Sequence, residues 1–186
     1  NNVANTECSN GVKNSCTVSA TTTLPANQLY NFKDGIRVNG NNFVLDCSGS
    51  TFDGSGFQYV NDGVKVNGAS GATLQNCNAQ RYNVGFKLIS AIGNIISNVQ
   101  SLENTVGMEL LSSNNNQIDG GSFNANKDMG MKLFQSNGNT INNNQIATAS
   151  LLGLRAEQSN NNIFSLNDIS GIPDGNAMWI IGSTNN

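Results

Sequence analysis

The sequence contains no histidine, no Cys-x-x-Cys pair and no apolar run approaching the roughly 20 residues needed to cross a bilayer. Histidine is the commonest metal ligand and the side chain that titrates near neutral pH, so its absence and the missing cysteine pair leave no zinc-site spacing. No metal or cofactor is expected. Charge is scarce as well: 11% of residues, 12 acidic against 9 basic, for a formal net charge of -3. The low charge is not that of ordinary disorder, and no basic field is present of the kind that binds nucleic acid. The first residues, Asn1 to Cys8, lack the basic and apolar regions of a signal peptide, which reads as a soluble chain already processed. Its 186 residues suit one domain. The four cysteines, Cys8, Cys16, Cys47 and Cys77, all lie in the first half; an even number fits two disulfides in an oxidising, extracellular or cell-surface setting.

What is abundant is small and polar, and it repeats. Gly63, Gly85, Gly107, Gly130 and Gly153 are separated by 22, 22, 23 and 23 residues. Each opens a similar phrase: Gly63-Val-Lys-Val, Gly85-Phe-Lys-Leu, Gly107-Met-Glu-Leu, Gly130-Met-Lys-Leu and Gly153-Leu-Arg-Ala, with Gly35-Ile-Arg-Val earlier. Apolar residues at the first and third positions and a charge between them give the period of a half-buried strand. Nine residues after the later glycines stand Asn94, Asn116, Asn139 and Asn162, and six after them a small column, Ala91, Ser113, Ser136 and Ser159. Short strands at this period bury their faces only by stacking. The expected fold is therefore all-β: a single-domain right-handed parallel β-helix, or β-solenoid, with 22–23-residue coils and the asparagines in a hydrogen-bonded ladder. Asn116 and Asn139 are expected to be buried and Asn126 to lie on an outer turn. Residues 1–33 do not match the repeat and are expected as an N-terminal cap or extension. Residues 34–186 form the β-helix; Ala177 replaces the glycine of its last coil, which stops incomplete at Asn186.

The phrase from Gly130-Met-Lys-Leu to Ser136-Asn-Gly-Asn-Thr-Ile-Asn-Asn-Asn-Gln-Ile146, with its relatives at Gly107 and Gly153, resembles the repeats of NosD-like members of the pectin-lyase-like superfamily. The resemblance implies the β-helix and leaves function open, because this fold hosts polysaccharide lyases and hydrolases, adhesins and structural proteins. The Gly-His-Gly element of polygalacturonase-like relatives is missing. Copper delivery, which the family name suggests, would have to rely on cysteines and on Met108, Met129, Met131 and Met178, and the inward pair Met108 and Met131 is more simply core.

No catalytic residue is assigned. Most carboxylates read as solvated turn residues, with a loop-built site from Asp46, Asp53 and Arg37 left open. The outward column Arg37, Lys65, Lys87, Glu109, Lys132 and Arg155, ending on Trp179, offers its five basic residues to an acidic polysaccharide, or else forms a solvated strand face in which Glu109 relieves repulsion. Ile89, Leu111 and Phe134, two places further on, form a candidate apolar interface. Met178, Trp179, Ile180 and Ile181 form a second at the last coil. Cys47 is expected to pair with Cys77 across neighbouring coils and Cys8 with Cys16, one of three pairings that four cysteines allow. The reading that follows is an extracellular structural or adhesive solenoid subunit that associates with copies of itself, end to end into a filament or surface assembly. The alternative is a secreted carbohydrate-binding or polysaccharide-degrading β-helix protein.

Overall fold

The computed structural model describes residues 15–186 except 57, 58, 60, 148, 150 and 174. The described residues contain strands and turns and no helix, coiled into a right-handed parallel β-helix. Every strand pair is parallel, and three sheets run along the coil. The first sheet stacks Cys16–Val18, Ile36–Val38, Asp62–Asn67, Val84–Ile89, Val106–Leu111, Met129–Phe134, Leu152–Glu157 and Asn176–Ile181. The second stacks seven short strands from Thr22–Thr23 to Ile163–Ser165. The third runs from Leu29–Asn31 to Gln100–Leu102, continues through single bridges at Ser122, and ends with Gln145–Ala147 and Asp168–Ser170.

The register follows the glycine phrases. Phe86 pairs with Val64 and Met108, and Leu88 with Val66 and Leu110. These inward residues are fully buried. The glycines face inward too. A Cβ added to Gly85 would fall 2.0 Å from the Ser101 hydroxyl oxygen, and one on Gly130 2.2 Å from Ile146 Cγ2. The column is glycine because the third sheet closes onto the first there, leaving no room for a side chain.

Corners are made by single residues in the left-handed region: Asn76, Asn98, Asn143 and Leu166 between the second and third sheets, and Arg81, Glu103 and Ala125 between the third and first. Asparagine tolerates that conformation better than most residues, which explains part of its abundance. The solenoid also begins before residue 34. Cys16–Val18, Thr22–Thr23 and Leu29–Asn31 each pair with the next coil, so residues 16–31 already form a rung. A role for residues 1–14 as a cap lies outside the described residues.

Cys47 and Cys77 are joined across neighbouring coils, with Cα atoms 4.8 Å apart. Cys16 is disulfide-bonded, and its expected pairing with Cys8 lies outside the described residues.

Candidate functional site

The inside of each corner is an amide ladder. Asn116 donates from its backbone N–H and its side-chain amide to Asn139 Oδ1, at 2.8 and 3.1 Å, and Asn139 does the same to Asn162 Oδ1. Asn94 donates to Asn116 in the same way, and Asn162 to Asn186. All four expected ladder residues are buried. Two further ladders occupy the other corners. Asn104 donates its N–H to Asn126 Oδ1, and Asn144 donates its N–H to Asn167 Oδ1. Asn126 is therefore not on an outer turn: it is 1% exposed and its amide donates to the Ser101 carbonyl. Its partner Asn104 stands 22 residues before it, the repeat length, and that interval was the available signal.

The outer face of the first sheet carries the expected charged column in register: Arg37 beside Lys65, Lys65 beside Lys87, then Glu109, Lys132, Arg155 and Trp179. Five of the nine basic residues of an acidic chain stand here. Most of them are neutralised. Glu109 Oε2 lies 3.1 Å from Lys87 Nζ, and Glu109 Oε1 lies 2.7 Å from Lys132 Nζ. Arg155 pairs with Glu157 at 2.6 Å and lies over the Trp179 ring, 5.5 Å from its centroid. Burial pushes the Glu109 carboxyl up, but the hydrogen bonds and charges of Lys132 and Lys87 more than offset this and hold it below the usual glutamate range.

The N-terminal end of the column differs. Arg37 has no ion pair among the described residues, and Lys65 meets only Asp62, at 3.6 Å. With Asn39 and Asn67 these two cations line a cleft of about 230 Å³. Arg37 and Lys65 sit on paired strands, one rung apart or about 4.8 Å. The guanidinium fork takes a carboxylate through two parallel hydrogen bonds, and the ammonium beside it adds a mobile charge.

The other candidates are dispersed or committed. Arg37, Asp46 and Asp53 belong to three different sheets and form no common site. Asp53 is not a solvated turn carboxylate: it is 2% exposed and paired with Arg81 through both oxygens, with Gln80 and the Ser55 N–H also donating to it. Asp46 accepts from Ser48 N–H, Gln75 and Asn76. Ile89, Leu111 and Phe134 stack in register but are half-buried, between Asn67 and Glu157. Met178 and Ile180 continue the inward columns of Leu154 and Ala156, with Trp179 and Ile181 facing out. The exposure of Met178 and Ile180 follows from their place on the last rung and is no measure of a docking face.

Comparison with known proteins places these features in a family. The model of the periplasmic copper-binding protein (NosD) family matches residues 1–186, and the chain belongs to that family. No curated protein sequence matches it. Among solved structures, two mutant forms of the periplasmic alginate epimerase AlgG superpose with TM-scores of 0.65 and 0.66 at 14% and 12% identity, over 91% of this chain in both cases. The A-module of an Azotobacter vinelandii mannuronan C-5 epimerase gives 0.46 at 16% identity, over 88% of this chain and 61% of its own. At 47% and 55% of the two epimerase chains, this chain spans about half their length. The two AlgG likenesses show the fold. The family description and the Cys47–Cys77 disulfide put the protein in a periplasmic or extracellular compartment.

Among the described residues copper finds no fitting ligand set, and Met129 and Met178 stand two rungs apart. The chain has no histidine, Cys47 and Cys77 are tied to each other, and Met108 and Met131 are sealed in the core at 0% exposure. Among the described residues no three His, Cys, Asp or Glu side chains converge.

Proposed function

We propose that this member of the NosD family is a polysaccharide-binding solenoid that holds an acidic glycan at the Arg37–Asn39–Lys65–Asn67 cleft. The observation that carries the reading is the pair of cations without full neutralisation in a concave, amide-flanked site, on a face whose other basic residues are already paired. Uronate sugars present one carboxylate per residue beside hydroxyls, the groups that a guanidinium, an ammonium and two amides receive. The structural neighbours named for alginate epimerases suggest alginate oligomers as the first probe. Binding is favoured over turnover because the cleft is lined by Arg37, Asn39, Lys65 and Asn67 and by no carboxylate among the described residues.

Titration calorimetry with uronate oligomers tests it. The Arg37→Ala/Lys65→Ala protein should bind at least about tenfold more weakly, since a hydrogen bond to a charged group contributes roughly 1.5–3 kcal/mol. The Lys87→Ala/Lys132→Ala protein should bind nearly as the parent does. Absence of saturable binding, or equal loss in both variants, refutes the assignment. A second reading, lateral association of copies, draws support from the in-register stack of Ile89, Leu111 and Phe134. It requires a mass by light scattering that rises with concentration and falls back in Leu111→Asp. End-to-end assembly into a filament would use a different surface, the last coil, and it requires a rise in mass that Leu111→Asp leaves in place and that deletion of residues 177–186 abolishes.

A further inference from the structure

At the corner between the second and third sheets a second cleft, of about 440 Å³, is lined by Asn27, Ser48, Gly49, Asn76, Asn78, Asn98 and Gln100. No charged side chain lines it. The residues come from four consecutive rungs, as the pairings of Leu29 with Thr51, Thr51 with Asn78 and Asn78 with Gln100 show. At about 4.8 Å per rung the cleft runs some 14 Å along the solenoid axis.

Its amides are only partly used. Asn98 donates to Asn76 Oδ1 at 2.6 Å, Asn76 donates onward to Asp46, and Asn78 donates to the Gly49 carbonyl. That leaves Asn98 Oδ1, Asn78 Oδ1 and both ends of the Asn27 and Gln100 amides without a hydrogen bond among the described residues, on side chains that line the cleft. The backbone keeps the cleft open. Gly49 adopts φ +79°, and a Cβ there would lie 2.7 Å from Asn27 Oδ1. Asn76 and Asn98 occupy the left-handed corner positions, at φ 56° and 49°.

We infer that this cleft is a second glycan site, distinct from the cationic one, and that it takes a neutral oligosaccharide. A primary amide offers one acceptor and one donor side by side, matching neighbouring sugar hydroxyls, each of which both donates and accepts. Ions are disfavoured on either side. An anion finds no cation here and lies close to Asp46, whose carboxyl stays ionised: burial pushes it up, but hydrogen bonds from Asn76, Gln75 and Ser48 bring it below the usual range. A cation finds no free carboxylate, since the Asp46 oxygens are occupied by those same donors.

The test is side-chain amide NMR of the full chain titrated with neutral trisaccharides (maltotriose, cellotriose and chitotriose) and, in parallel, with a uronate trisaccharide. At least one neutral probe should shift the Asn27, Asn98 and Gln100 amide resonances saturably while leaving the buried Asn116 and Asn139 resonances in place. Asn27→Ala/Gln100→Ala should weaken that binding at least fivefold with unchanged thermal unfolding, whereas Arg37→Ala/Lys65→Ala should leave it intact. The inference is overturned when no neutral probe shifts these amides, when the uronate probe shifts them equally, or when the double amide variant binds as the parent does. The uronate response of the Arg37–Lys65 cleft reads out separately, so failure of either site is seen independently of the other.

Discussion

Replacing Asn139 with alanine removes the middle of the longest amide ladder, and the structure says which groups are stranded. The Asn116 N–H loses its acceptor, Asn139 Oδ1 at 2.8 Å, and the Ser113 carbonyl loses its donor, Asn139 Nδ2 at 3.0 Å. Both sites are buried and solvent does not reach them. Other partners survive: Asn116 Nδ2 keeps its bond to the Ala91 carbonyl. Two stranded buried groups at roughly 1–3 kcal/mol each give a loss of about 2–6 kcal/mol. With a urea dependence of about 2 kcal/mol/M, the unfolding midpoint followed by circular dichroism should fall by about 1–3 M. The matched control is Gln117→Ala, at an exposed position on the adjoining strand, which should change stability by no more than about 0.5 kcal/mol. Equal midpoints for the two variants would refute the ladder as a source of stability.

Asn126→Ala should lower the midpoint as Asn139→Ala does, because Asn104 N–H and the Ser101 carbonyl lose their partners; a neutral outcome would return Asn126 to the surface. Removing the Cys47–Cys77 bond, which spans 30 residues, in Cys47→Ala/Cys77→Ala should cost about 3.5 kcal/mol, read against the parent in urea unfolding without reductant so that the Cys16 disulfide stays intact. Gly85→Ala should destabilise by at least about 1–3 kcal/mol, since its Cβ would meet the Ser101 hydroxyl and the Asn104 amide inside the coil, whereas the same change at Gly93, where nothing lies within 4 Å, should show only backbone strain in thermal unfolding. Asp53 and Glu109 are both held below their ordinary values, so the unfolded chain binds more protons on acidification. Their stabilisation should be complete above about pH 4.5 and be lost as pH falls through the folded values; Arg81→Ala should flatten the acid limb of a stability-against-pH curve.

The coil was legible because its period is nearly constant from Gly63 to Gly153 and its inward positions alternate. The first rung was not. Cys16 pairs with Ile36, so Ser15 stands where the glycine would be, and the interval from Gly35 to Gly63 is 28 residues and not 22. One substitution and one insertion hid a coil that the backbone pairing makes plain. The charged column was legible as a column, but its neutralisation was only half visible. Glu109 announced itself by position, whereas Asp62, at the start of its strand, reaches Lys65 and Lys87 because the inward-facing glycine after it shifts the alternation. The available cations at Arg37 and Lys65 emerge only once the paired ones are known.

Asparagine itself was the residue type least decidable from sequence, for a reason visible at the corner between the second and third sheets. There the left-handed residue points out and its successor points in, so adjacent positions have opposite fates. Asn98 is exposed beside the buried Val99, and Asn143 is exposed beside Asn144 at 2%. A run such as Asn142-Asn143-Asn144 therefore holds three roles: an outward strand residue donating to Asp119, a corner, and a rung of an internal ladder. A shift of one residue would exchange a sealed amide for a solvent-facing one without changing composition. The same amide that stabilises the coil when it faces inward becomes, when it faces outward at three of four successive corners, Asn27, Asn76 and Asn98 with Ser48 between the first two, a set of neutral donors and acceptors. That array is the physical basis for reading the second cleft as a glycan surface and for separating it from the charged face of the first sheet.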